Sequence, residues 1–198
     1  MQVAVVRLGV GNTASMMFAL ERLGARAVLT DSAAEIGMAE RVILPGVGAA
    51  AHAMAAMREL GLEQILRDFS RPLLGVCLGQ QLLYEGSEEG DAQGLGRIAG
   101  QVRALSPAPD RPVPHMGWNQ LQAVADDSLL EGVKAGGWVY FVHGYAAPVG
   151  PETLASAHYG APFSAVVRAG QAWGCQFHPE RSAAVGARIL ANFLRVPC

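Results

Sequence analysis

Pro72-Leu73-Leu74-Gly75-Val76-Cys77-Leu78-Gly79-Gln80-Gln81 is the stretch from which the rest of the chain is read. Its opening run, 72–76, is apolar and of strand length, it stops at a thiol, and residues 80–85 favour helix. Cys77 is therefore expected at a strand-to-helix turn. Gly75 and Gly79 stand two residues to either side, the Gly-x-Cys-x-Gly pattern of a tight elbow that projects a nucleophile from a sheet edge. Glycines there keep side chains out of a crowded turn. The N-terminus of the following helix would favour thiolate over thiol. The plainer alternative is a core cysteine packed as a small hydrophobe.

Upstream of the elbow, strand-like runs at 3–6, 26–29 and 42–44 alternate with helical patterns at 15–23 and 49–60. Such alternation implies a parallel sheet covered by helices. Downstream the rhythm changes to strand candidates at 101–105, 117–124, 138–146, 153–159, 163–168 and 171–177, which read as antiparallel additions to that sheet. Ser182 is expected to cap a last helix whose apolar face carries Val185, Ile189, Leu190, Phe193 and Leu194.

With 198 residues, 51% of them hydrophobic, one domain spanning 1–198 is the default. A net charge of -2 without charge blocks offers nothing to track phosphates or anionic lipid, so neither nucleic acid nor membrane is expected as partner. Three widely spaced cysteines suit free thiols in a reducing cytoplasm, and no ligand cluster suggests a metal.

The second chemical element is His178-Pro179-Glu180, just after the strand candidate 171–177. Pro179 biases His178 towards an extended backbone, in which residues i and i+2 point the same way. Glu180 can then accept from one imidazole nitrogen while the other faces a thiol: nucleophile, base, orienter. A third element, Pro45-Gly46-Val47-Gly48, follows strand 42–44. Its backbone N–H and that of Leu78 are candidates for an oxyanion hole, with an ordinary turn as the alternative.

The elbow GVCLGQQ, the loop PGVG and the late HPE together resemble the class I, triad-type glutamine amidotransferases. Within them, GVGN at 9–12, LYEGSEEG at 83–90, PHMGWN at 114–119 and YFVHGYA at 140–146 are similar to the glutaminase subunits of imidazole glycerol phosphate synthase. This resemblance implies a flavodoxin-like mixed sheet with a parallel core, antiparallel additions in the C-terminal half and helices on both faces. It also implies hydrolysis of glutamine to glutamate and ammonia without a cofactor, and delivery of the ammonia to a separate (β/α)8-barrel cyclase subunit in histidine biosynthesis.

Carried over by the resemblance, Cys77, His178 and Glu180 are catalytic, Val47 and Leu78 form the oxyanion hole, and Gly46, Gly48, Gln81, Glu89, Gly144 and Tyr145 bind glutamine. Asn12, Trp118, Asn119, Tyr140 and Arg181 face the cyclase. Read without it, Gln81 is a helix-surface residue and Glu89 one charge on a solvated loop. Arg7, Leu8, Gly144 and Arg181 depart from the family's usual residues. One rival is a dinucleotide-binding domain, in which Gly9, Gly11 and Ala14 follow the first strand and Asp31 ends the second. A glutaminase serving another synthase and an inert scaffold complete the alternatives.

Overall fold

A computed structural model describes residues 2–9 and 13–197. The apolar runs of the first half become four parallel strands, β1 (Gln2–Val6), β2 (Arg26–Thr30), β3 (Arg41–Gly46) and β4 (Leu73–Cys77), ordered β2-β1-β3-β4. Strand Ala172–Cys175 joins parallel to β4 as the fifth member. Beyond it Ala161–Ala169, Thr153–Tyr159 and Gln122–Val124 continue antiparallel, completing an eight-stranded mixed sheet.

Alternation along the strands sends successive side chains to opposite faces, and both faces are covered. On one face Val3, Val5, Ile43, Leu74 and Val76 pack with Met16 and Leu20 of α1 (Thr13–Arg22). On the other face Ala4, Val6, Val42, Leu44 and Leu73 meet Ile36 of α2 (Ala33–Met38), Met54 and Met57 of α3 (Ala50–Glu59) and Leu66 of α4 (Glu63–Arg67). A short α5 (Leu78–Gln81) follows β4 directly, and α6 (Ala183–Phe193) returns Ile189, Leu190 and Phe193 to the α1 face. Each fully buried aliphatic or aromatic side chain in these layers contributes about 1.5–3 kcal/mol.

Several expectations are corrected. The helix expected over 80–85 stops at Gln81, because the Leu82 and Leu83 carbonyls accept from Leu95, Arg97 and Ile98 instead of continuing the helix. The chain then forms strand Tyr84–Ser87. Not every later strand joins the main sheet: His115–Gln120 pairs with Trp138–His143 as a separate hairpin, and Ile98–Ala104 and Tyr145–Ala146 belong to a small four-stranded sheet. The candidates 117–124 and 138–146 are thus each split, at Leu121 and Gly144. Ser182 precedes α6 but does not cap it through its side chain; its hydroxyl donates to the His178 carbonyl at 2.7 Å. The short helices α2 and α4 went unread, since five or six residues display too little of a 3.6-residue period.

Among the described residues no helix is long and apolar enough to cross a membrane.

Candidate active site

The elbow is built by steric necessity. Cys77 has φ 55° and ψ -109°, a left-handed backbone that a non-glycine residue adopts only under constraint from its surroundings. A Cβ on Gly79 would sit 1.8 Å from the Leu44 carbonyl oxygen, and one on Gly75 would sit 2.4 Å from the Gly79 carbonyl oxygen. The two glycines let β3, β4 and α5 close on one another with the thiol at the carboxyl end of the sheet. This is the edge where open α/β sheets hold ligands.

His178 and Glu180 arrive from the end of the neighbouring strand. Glu180 Oε1 lies 2.9 Å from His178 Nδ1, and the Glu180 side chain is only 7% exposed. Its Oε2 is buried with no hydrogen-bond partner among the described residues. Burial disfavours the charged imidazole, but hydrogen bonding to Cys77 and Glu180, and the charges of both, outweigh it and raise His178 to about 10. The Cys77 thiol, the His178 imidazole and the Glu180 carboxylate are thereby brought together. The other described cysteine, Cys175, is fully buried, and burial together with the Glu180 charge pushes its thiol up, into the inert neutral form.

A cavity of about 270 Å³ opens over Cys77, lined by Val47, Gly48, Leu78, Gln81, Glu89, Gly144, Tyr145 and His178 among others. Glu89 Oε2 accepts from the Ala50 N–H at 2.8 Å, which fixes the carboxylate at the start of α3, where the helix dipole favours it. Gln81 Nε2 donates to the Tyr145 carbonyl at 2.8 Å and to Gln176 Oε1 at 3.1 Å. Gly46 stands opposite Cys77 in the β3–β4 register, and Gly48 has φ +94°. Val47, 39% exposed, lines both this cavity and, with Val142 and His178, a second of about 170 Å³ that Val6, Thr13, Met16, Glu180 and Arg181 also line.

Trp118 and Tyr140 pair across the hairpin, edge to face at 5.9 Å, and the Arg181 guanidinium lies 5.3 Å from the Tyr140 ring centre. Trp118 is 49% exposed. Asn119 is held back by a bond from its amide to the His158 carbonyl. Asn12 lies outside the described residues.

Gln176 and Val142 were missed. Gln176 is fully buried with Nε2 3.9 Å from Cys77 Sγ, and the Val142 carbonyl lies 3.6 Å from the same sulfur. A lone amide two residues before His178, directly after the apolar strand Ala172–Cys175, is the available signal for Gln176; a backbone carbonyl leaves none. Asp31 is engaged by Arg7 at 2.7 Å, which holds its carboxyl below the usual range.

The glutamine amidotransferase class-I family matches residues 9–196. The chain belongs to that family. Among curated relatives, the imidazole glycerol phosphate synthase subunit HisH of Xanthomonas axonopodis pv. citri (strain 306) is 53% identical over 194 residues, covering 98% of this chain and 97% of that protein. The HisH subunit of Xylella fastidiosa (strain 9a5c) is 48% identical over 195 residues, covering 98% of each. Of solved structures, a glutamine amidotransferase superposes with TM-score 0.74 at 25% identity, covering 97% of this amidotransferase and 96% of that chain. PurLQS from Thermotoga maritima, at 18% identity and TM-score 0.71 over 98% and 97%, shares the fold. Among the described residues of this amidotransferase, no group of three or more His, Cys, Asp and Glu side chains could hold a metal ion.

Proposed function

We propose that this amidotransferase is the glutaminase subunit of an imidazole glycerol phosphate synthase, working in the cytoplasm beside a (β/α)8-barrel cyclase that consumes its ammonia. The observation that carries the reading is the assembly of Cys77, His178 and Glu180 at one sheet edge over a cavity of substrate size. Near-full-length identity of about one half to HisH subunits supports the choice of synthase.

In the reaction, Cys77 Sγ attacks the side-chain carbonyl carbon of glutamine, and backbone N–H groups of Val47 and Leu78 receive the developing oxyanion. His178, held in its protonated form, gives its Nε2 proton to the departing nitrogen as the C–N bond breaks, leaving a glutamyl thioester and ammonia. Neutral His178 then takes a proton from water as the water oxygen attacks the thioester, and the C–S bond breaks to release glutamate and Cys77. Glu180 keeps Nε2 aimed at the sulfur. Glu89 and Gln81 hold the amino-acid end of glutamine, with Gly46, Gly48, Gly144 and Tyr145 contributing backbone. Trp118, Asn119, Tyr140 and Arg181 form the surface that meets the cyclase.

Glutamate release from glutamine tests the reading, with wild type and Cys77→Ala, each alone and with the cyclase carrying its nucleotide substrate. Release that requires Cys77 and accelerates with the liganded cyclase is expected. Cyclase-independent release at full rate would assign the chain to another synthase, and no release at all would defeat the glutaminase reading.

A further inference from the structure

Outside the triad, the chain buries two more imidazoles side by side. His115 and His143 face each other across the hairpin, with His115 Nδ1 2.9 Å from His143 Nε2. His143 Nδ1 lies 2.8 Å from the Tyr145 carbonyl, and Asn119 Nδ2 approaches His115 Nε2 at 3.4 Å. The His115 ring is sandwiched between Tyr159 at 4.0 Å and Phe141 at 4.8 Å, so its plane cannot swing.

This arrangement permits one distribution of protons. A carbonyl only accepts, so His143 Nδ1 carries the hydrogen; the neutral ring then has a bare Nε2, which accepts from His115 Nδ1–H. His115 Nε2 is bare in turn and accepts from the Asn119 amide. Burial favours the neutral form of both rings and lowers His115 to about 4 and His143 to about 3. The Tyr145 carbonyl thus fixes the tautomer of His143, and the donated His115 Nδ1–H reinforces it.

What His143 holds is a wall of the active site. Val142, whose carbonyl is 3.6 Å from Cys77 Sγ, precedes it, and Tyr145, whose carbonyl it shares with Gln81 Nε2, follows two residues later. Gln81 reaches Gln176, and Gln176 reaches the sulfur.

We propose that His115 and His143 are positioning residues: a proton-ordered imidazole pair that clamps residues 142–145 against Cys77 and Gln81, with Asn119 on the exposed hairpin as its outer end. Loss of the correct tautomer turns a bare nitrogen towards the Tyr145 carbonyl, and the wall moves off the nucleophile. The inference rests on the glutaminase reading for its kinetic consequence but not for its geometry.

The test compares His115→Asn, whose amide can stand in for ring Nδ1–H, with His115→Leu, which fills similar space without a donor, and adds His143→Asn, which keeps a donor for Tyr145. Full-length proteins are assayed for glutamine kcat and KM with the cyclase present, and for Cys77 alkylation by iodoacetamide in its absence. His115→Leu is expected to lose about tenfold or more in kcat and to change its alkylation rate, because small displacements of reacting groups are costly in rate. His115→Asn and His143→Asn should recover most of both. If His115→Leu, folded by near-ultraviolet circular dichroism, keeps kcat, KM and alkylation within about twofold of wild type, the pair is only structural and the proposal fails. The two readings separate cleanly: a wild type without Cys77-dependent glutaminase activity overturns the function, while a donor-dependent alkylation rate in the same preparation upholds the clamp.

Discussion

His178 hangs from Tyr140 by its main chain: the His178 N–H donates to the Tyr140 carbonyl at 2.9 Å, and the Tyr140 N–H donates to the Ser182 hydroxyl at 2.9 Å. The same hydroxyl donates onward to the His178 carbonyl. A residue of the exposed hairpin and the backbone of His178 are therefore tied into one hydrogen-bonded ring through Ser182.

Replacing Ser182 by Ala leaves the Tyr140 N–H without its acceptor and should cost about 1–3 kcal/mol, the penalty for an orphaned buried donor. Urea unfolding reads the loss. Glutamine turnover of the remaining folded protein should fall as well, because the His178 turn loses its brace; unchanged stability and turnover would refute the ring's importance.

Two glycines near Cys77 should respond in opposite ways. Gly79→Ala drives a methyl group into the Leu44 carbonyl and is expected to destabilise by about 3 kcal/mol or more, beyond ordinary overpacking. Gly144→Ser adds a Cβ that meets only Val113 Cγ1, at 3.7 Å, and should fold like wild type. Thermal denaturation of the two variants decides this, and the second outcome would show that Gly at 144 is a tolerated departure from the family.

The buried imidazole pair makes the fold acid-sensitive. Both rings have folded pKa values depressed below the unfolded 6.5, so the unfolded chain takes up protons that the native chain refuses as pH falls. Their contribution should be complete above about pH 6.5 and decline towards pH 4 by up to about 1.4 kcal/mol per pH unit for each ring, whereas His178, raised to about 10, acts in the opposite sense only as pH rises above 6.5. Burial dominates the shift of His143; the hydrogen bond to the Tyr145 carbonyl opposes it, and the neighbouring His115 and His178 charges add to it. Urea titrations at stepwise pH should show the slope in wild type and a shallower one in His143→Asn.

Far from the chemistry, Asp127 accepts from Trp173 Nε1, from the Leu129 N–H and from Arg168 at 2.7 Å, with its side chain 3% exposed. Asp127→Ala strands a buried indole N–H and a backbone N–H. It should cost about 2–3 kcal/mol, with Arg168 still able to reach solvent. Glutamine kcat of the folded variant should match wild type; a large kinetic loss would reveal coupling across the sheet.

The elements nearest the chemistry were the most legible. β4 and the elbow announce themselves because a buried parallel strand reads as an unbroken apolar run, and because only glycine fits at 75 and 79. Pro179 leaves His178 extended, as its position implies, but Pro179–Arg181 then form a 3-10 turn, so Glu180 reaches the imidazole around that turn and not by the i, i+2 alternation of an extended segment. What stayed hidden depends on contacts distant in sequence. The end of α5 is set by carbonyls bonding to residues 95–98, Gln176 matters only because β4 lies beside it, and His143 gains its role from a ring 28 residues away. No local pattern encodes which sheet a given antiparallel strand will join, so the hairpin at 115–120 and 138–143 could be read as strands but not as a separate ribbon.

The fit of Gly79 under the Leu44 carbonyl also bears on protein engineering. Because the Cys77 turn takes its shape from a neighbouring strand as well as from its own glycines, the motif cannot be lifted out alone. A scaffold given GVCLG without a β3 of matching height would receive the letters and lose the bend, whereas grafting β3, β4 and α5 together would carry the strained cysteine intact.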